Sequence, residues 1–259
     1  DLDPENPEPR RQLVSLLETL DHPEALKREY DGLVALYHSQ GEYDSAADYL
    51  RRMIALDPRD LTLPERLGRI FEEQGKTDEA CALYLETATR HQHANENPMA
   101  RALLGRIKGL QPGRVEARLL LSQVCESLGE QRAATREHLD LIEIALSDGD
   151  LDRARRHAGE VARLAGTHWD LHLDMARTFS RHEENEEAVQ RLGAAIAEAL
   201  RQRDAANALG LLDEALALDK QARPLHEQRV EALRMLERTD EVVAQYRTLA
   251  DLAEIGRAH

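Results

Sequence analysis

The sequence predicts an all-α fold: a right-handed α-solenoid of about 14 antiparallel helices. Three observations carry that prediction. Apolar positions recur in phase every 54 residues, without an insertion, along 259 residues. Within each period they sit three, four and seven apart, the spacing of one helical face. The composition is 42% hydrophobic but only 3% aromatic, with 32% charged residues, a balance that suits thin repeated helical cores.

The elements follow from cutting the chain after Asn6. Units 7–60, 61–114, 115–168 and 169–222 result, with a partial unit at 223–259. In the first helix of each, the seventh position reads Leu13, Leu67, Leu121, Met175 and Arg229, and the eleventh Leu17, Phe71, Cys125, Phe179 and Leu233. Breaks at Asp21, Gly75, Gly129 and Glu183 close it. Glycine supplies the left-handed backbone that ends a helix. The second helix carries Leu26, Ala80, Ala134, Ala188 and Val242 in register and closes at Gly41, Asn95, Gly149 and Arg203. The third holds Ala46, Ala100, Ala154 and Ala208 and ends near Leu56, Leu110, Leu164 and Leu218. Pro58 and Pro112, two residues beyond the first two of these leucines, act as stops because proline has no N–H to continue the ladder. Each unit is therefore three helices of about 12–17 residues. The expected core includes Leu67, Phe71, Ala80, Leu121, Ala134, Met175, Phe179 and Ala188. The opening "DLDPEN" reads as the tail of an earlier unit, so residues 1–259 are expected to form a single solenoid cut from a longer array. Leu13, Leu16 and Leu17 cannot then all be covered.

Residues 27–60 carry Tyr30, Leu33, Tyr37, Gly41, Tyr43, Ala46, Leu50, Met53 and Pro58 at the signature places of a 34-residue helix pair, and the stretch resembles a tetratricopeptide repeat. Residues 61–94 resemble it through Leu67, Gly68, Phe71, Gly75, Ala80, Tyr84 and Thr87. Residues 115–148 and 169–202 do so through Leu121, Ser122, Cys125, Gly129, Ala134 and Leu141, and through Met175, Ala176, Phe179, Ala188 and Ala195. The motifs overlap: 135–168 reuses the helix near 131–147, so the middle helix of a unit is expected to serve as second helix of one motif and first of the next.

A formal net charge of −15 disfavours nucleic acid and anionic membrane surfaces, and no apolar run is long enough to span a bilayer. Basic or neutral protein partners fit that charge better than acidic ones. Cys81 and Cys125 lack metal or redox spacing and lean towards a reducing compartment, the cytoplasm. His91 and His93 fall on different helical faces, while His168 and His172 are four apart. With no HExxH or CxxC spacing beside them, these four read as exposed helix-end histidines rather than metal ligands. No phosphate loop, nucleophile elbow or protease signature is present, so no cofactor and no catalytic residue are expected.

The resemblance implies a non-catalytic scaffold that binds a partner protein or peptide. It also implies an alternative: a periplasmic scaffold segment of a bacterial secretion or exopolysaccharide-export system, recruiting an enzyme or guiding a cationic polymer. If the family's groove carries over, Arg69, Glu72, Glu73, Gln123, Glu126, Arg177 and Arg181 line it. The family's clamp for C-terminal carboxylates is not supported. Its ninth positions here are Ser15, Arg69, Gln123, Arg177 and Glu231, without asparagine. Its fifth are Arg11, Glu65, Leu119, Leu173 and Glu227, without lysine.

Overall fold

The computed structural model describes residues 6–20 and 22–255. Asp21, the first expected break, lies outside the described residues, as does the proline of the opening fragment. Fourteen helices are found among the described residues, and no strand. They are α1 (Glu8–Leu20), α2 (Pro23–Ser39), α3 (Tyr43–Leu56), α4 (Thr62–Glu73), α5 (Thr77–His93), α6 (Asn97–Leu110) and α7 (Val115–Ser127) in one compact unit. A second unit holds α8 (Gln131–Ser147), α9 (Leu151–Ala165), α10 (Trp169–Arg181), α11 (Asn185–Arg201), α12 (Ala205–Leu218), α13 (Arg223–Met235) and α14 (Thr239–Ile255). The division between Leu128 and Gly129 falls inside the third 54-residue unit of the sequence.

The turns form for the reason the sequence gives. Gly75 has φ 72°, its N–H bonds the Glu72 carbonyl, and the Lys76 N–H reaches back to Phe71, so two orphan carbonyls of α4 are satisfied at once. The same pair of bonds closes α10 at Glu183, α11 at Arg203 and α13 at Glu237, but there a residue with a Cβ holds φ of 64°, 58° and 57°. The fold dictates that backbone even where the sequence has lost its glycine. α3 and α6 stop at the leucine before Asp57-Pro58 and Gln111-Pro112.

All eight expected core residues are buried. The alanine column at 46, 100, 154 and 208 has no exposed surface, which lets adjacent helices approach closely. The leucine that ends the third helix behaves differently. Leu56 and Leu110 are exposed and only Leu164 is buried, because the chain turns away from the interior in the last helical turn. Leu13 and Leu16 are exposed and Leu17 is half-buried, whereas Val14 is the residue of α1 that enters the core.

Middle helices pack on both sides as expected: α5 on α4 and α6, and α11 on α10 and α12. In the second unit α10 packs on both helices of the α8–α9 pair. Polar bridges reveal the packing step. In the first unit Asp31 meets Arg66, His38 meets Glu73, Asp44 meets Lys76 and Glu72 meets Arg106. In the second, Glu143 meets His182, Arg155 meets Glu187 and Arg177 meets Glu214. Each joins a helix to the next but one across 32–39 residues of sequence. The sequence thus repeats every three helices, while the structure packs in steps of two. Exposed pairs of this kind add little stability, about 0–1 kcal/mol each, and serve to fix register.

Candidate functional site

α2 and α4 lie side by side in the first unit, tied at two levels. The Arg66 guanidinium is 2.7 Å from Asp31, and one helical stretch further on His38 Nε2 is 2.6 Å from Glu73. Asp31 and His38 are seven residues apart, as are Arg66 and Glu73, so the rungs stand about 10 Å apart along helices rising 1.5 Å per residue. Between them opens a cleft of about 320 Å³, lined by Val34, Ala35, His38, Leu50, Arg66, Arg69, Ile70 and Glu73.

Its floor is apolar: Val34, Leu50 from α3, and Ile70 are buried. The hollow exists because Ala35, on the exposed face of α2, presents only a methyl group. One motif length further on, the matching place on α4 is Arg69, which is exposed and forms no hydrogen bond or ion pair among the described residues.

The sequence-derived groove residues divide between the two units, Arg69, Glu72, Glu73, Gln123 and Glu126 in the first and Arg177 and Arg181 in the second. Arg69 and Glu73 share the cleft. Glu72 turns aside, its side chain 19% exposed, and accepts from Arg106 Nε at 3.1 Å near the buried ring of Tyr84. It is therefore not the free surface charge the sequence suggested. Gln123 is exposed on α7, and Glu126 beside it is half-buried. In the second unit Arg177 grips Glu214 of α12 with two bonds of 2.9 and 3.2 Å, while Arg181 lies 3.1 Å from Glu143 of α8. Those two arginines, one turn apart, point to different neighbours.

Two of the four histidines read as exposed are in fact buried. His91 sits between Glu65 at 3.1 Å and Glu96 at 2.6 Å, and His172 lies against the backbone of Gly166, its imidazole held below the usual histidine range by burial. His93 and His168 are exposed. Sequence reasoning missed a buried polar column to which His172 belongs. Arg118 Nε donates to the Pro112 carbonyl at 2.6 Å, and His226 Nε2 to that of Lys220 at 2.9 Å. Arg118, His172 and His226 stand 54 apart, and each meets the backbone six residues before itself. The column was visible in the 54-residue frame, and its function is to hold the loop entering the unit's first helix. Among the described residues no group of three or more His, Cys, Asp or Glu side chains is gathered for a metal.

The tetratricopeptide-repeat family model matches residues 30–64 and 62–92, the stretch containing the C-terminal part of α2, all of α3 and α4, and most of α5. Residues 30–92 thus match two tetratricopeptide repeats. The cleft lies within these matched repeats. Solved structures similar to the chain include a MamA protein, 12% identical, covering 90% of this chain and 94% of its own, with a TM-score of 0.22. A tetratricopeptide repeat protein from Parabacteroides merdae is 15% identical over 80% of this chain and 98% of its own, TM-score 0.23. The TPR2AB domain of yeast Sti1, solved as a complex with pHSP90, is 13% identical over 81% and 99%, TM-score 0.31. A search of curated protein sequences gives no match. No helix among the described residues is long and apolar enough to cross a membrane.

Proposed function

We propose that the chain is a non-catalytic protein-interaction scaffold whose α2–α4 cleft takes a segment of a partner protein. Tetratricopeptide repeats support an interaction role in general. The observation that carries the specific reading is the cleft itself. Its floor is apolar, Ala35 leaves it open, and Arg69 on its rim is not consumed by an internal partner. Most other charges named from the sequence already bridge helices. The rungs at Asp31–Arg66 and His38–Glu73 hold the cleft's width without the partner, so little ordering cost falls on binding. At long range, the net charge of −15 favours encounter with a protein that is basic or neutral overall.

The test is a pull-down with the intact chain, repeated with Ala35→Trp and with Glu79→Trp as an exposed control on α5. Specific partners should be lost from the first variant and kept by the second, with unchanged circular dichroism for both. Equal capture by all three proteins would remove the cleft as the binding surface.

A further inference from the structure

We infer that the α2–α4 cleft recognises an internal acidic side chain followed by an apolar one, the carboxylate meeting Arg69 and the apolar group resting on Val34, Leu50 and Ile70. This rests on the reading of the cleft as the partner-binding surface and names what it selects.

Charge complementarity carries the inference. Although the whole chain is strongly acidic, the charged side chains lining the cleft are Arg66, Arg69 and Glu73, with His38 beside them. Arg66 and Asp31 satisfy each other, as do His38 and Glu73. Arg69 stands between these rungs, and its planar fork matches a carboxylate in a bidentate pair. A lysine brought to the same place would meet that guanidinium, and Glu73, the one carboxylate lining the cleft, is already bonded to His38. The spacing sets the length. About 10 Å between rungs admits three residues of extended chain at roughly 3.3 Å each, enough for an acidic residue and an apolar neighbour. The apolar step is needed because a carboxylate at an exposed arginine adds only modest affinity by itself. Net charge and local preference act at different ranges. Beyond about 8 Å at physiological salt the −15 field is largely screened, while contact at Arg69 is not.

The experiment titrates the full-length 15N-labelled chain with capped nine-residue peptides of Gly and Ser carrying one central step: Glu–Leu, Lys–Leu or Glu–Ser. A fourth peptide has no acidic side chain and ends in leucine with a free carboxylate. Expected is a response of the Val34, Ala35, Arg69 and Ile70 amides to the Glu–Leu peptide, about tenfold tighter than to Lys–Leu or Glu–Ser. Arg69→Ala should weaken it about three- to fivefold, Arg69→Glu further, and Ala35→Trp should abolish it, with circular dichroism unchanged throughout. Equal or tighter binding of Lys–Leu at the same amides would overturn the acidic preference and leave the cleft as a binding surface. Tighter binding of the free-acid peptide would overturn it in favour of a chain terminus. No response of these amides to any peptide would overturn both readings.

Discussion

Replacing Gly68 with alanine should destabilise the first unit, although the change improves helix propensity. A Cβ at Gly68 would stand 2.3 Å from Tyr84 Cε1, 2.7 Å from Cζ and 2.9 Å from Cδ1. Ordinary carbon contacts begin near 3.5 Å, so the ring must retreat by about 1 Å. It has nowhere to go: Tyr84 has no exposed surface, and the Arg106 guanidinium lies 5.4 Å from its centroid on α6. Overpacking of this kind costs about 1–3 kcal/mol, while alanine gains about 1 kcal/mol over glycine in a helix interior, for a net loss of up to roughly 2 kcal/mol. Urea denaturation followed by far-ultraviolet circular dichroism measures it. Tyr84→Leu, which removes the clashing atoms, should make Gly68→Ala less costly in the double variant than alone. A Gly68→Ala variant stabilised by the full helix-propensity gain of about 1 kcal/mol would mean that α4 and α5 slide apart without penalty, and close packing would not hold there.

Other expectations follow from the same geometry. Glu183→Gly, Arg203→Gly and Glu237→Gly relieve a left-handed residue and should each stabilise by about 0.5–1 kcal/mol in denaturant titrations, whereas Gly129→Ala at φ 75° should destabilise. Burial holds the His157 and His172 imidazoles below their usual range, with His138, Arg153 and Arg156 adding to the effect at His157. The unfolded chain then binds protons that the folded one refuses. Stability of the second unit should therefore fall as pH drops below about 6.5 and level off below the folded-state values, read from Trp169 fluorescence in urea at pH 7.5 and 5.5. His226→Leu leaves the Lys220 carbonyl and the Gln245 amide without their partner, so it should cost about 1–3 kcal/mol by the same fluorescence measurement.

Helix positions and turns were legible because they depend on local chemistry. Glycine at 41, 75, 129 and 149 and proline at 58 and 112 act on the backbone next to them, and the 54-residue phase averages out exceptions such as Glu183. The buried faces at Phe71, Ala134 and Phe179 were legible for the same reason. The candidate site was legible only in part. Arg69 and Glu73, expected from the sequence at a groove, line the cleft, but Glu72, Arg177 and Arg181 were not recognisable as helix bridges, because pairs 34–38 residues apart cut across the 54-residue frame. Ala35, which makes the hollow, carries no chemical signal; its importance comes from what it lacks. His91 and His172 were misplaced because histidine is as common at helix ends as inside, and only the carboxylates at Glu65 and Glu96 or the carbonyl column show which.

Hydrogen–deuterium exchange of the whole chain, alone and bound to a captured partner, tests most directly whether the partner lies in the α2–α4 cleft. Slowed exchange is expected to be confined to residues 31–39 and 62–74 and to be lost in Ala35→Trp. Slowed exchange restricted to α13 and α14, or to the exposed leucines of α1, would contradict that placement.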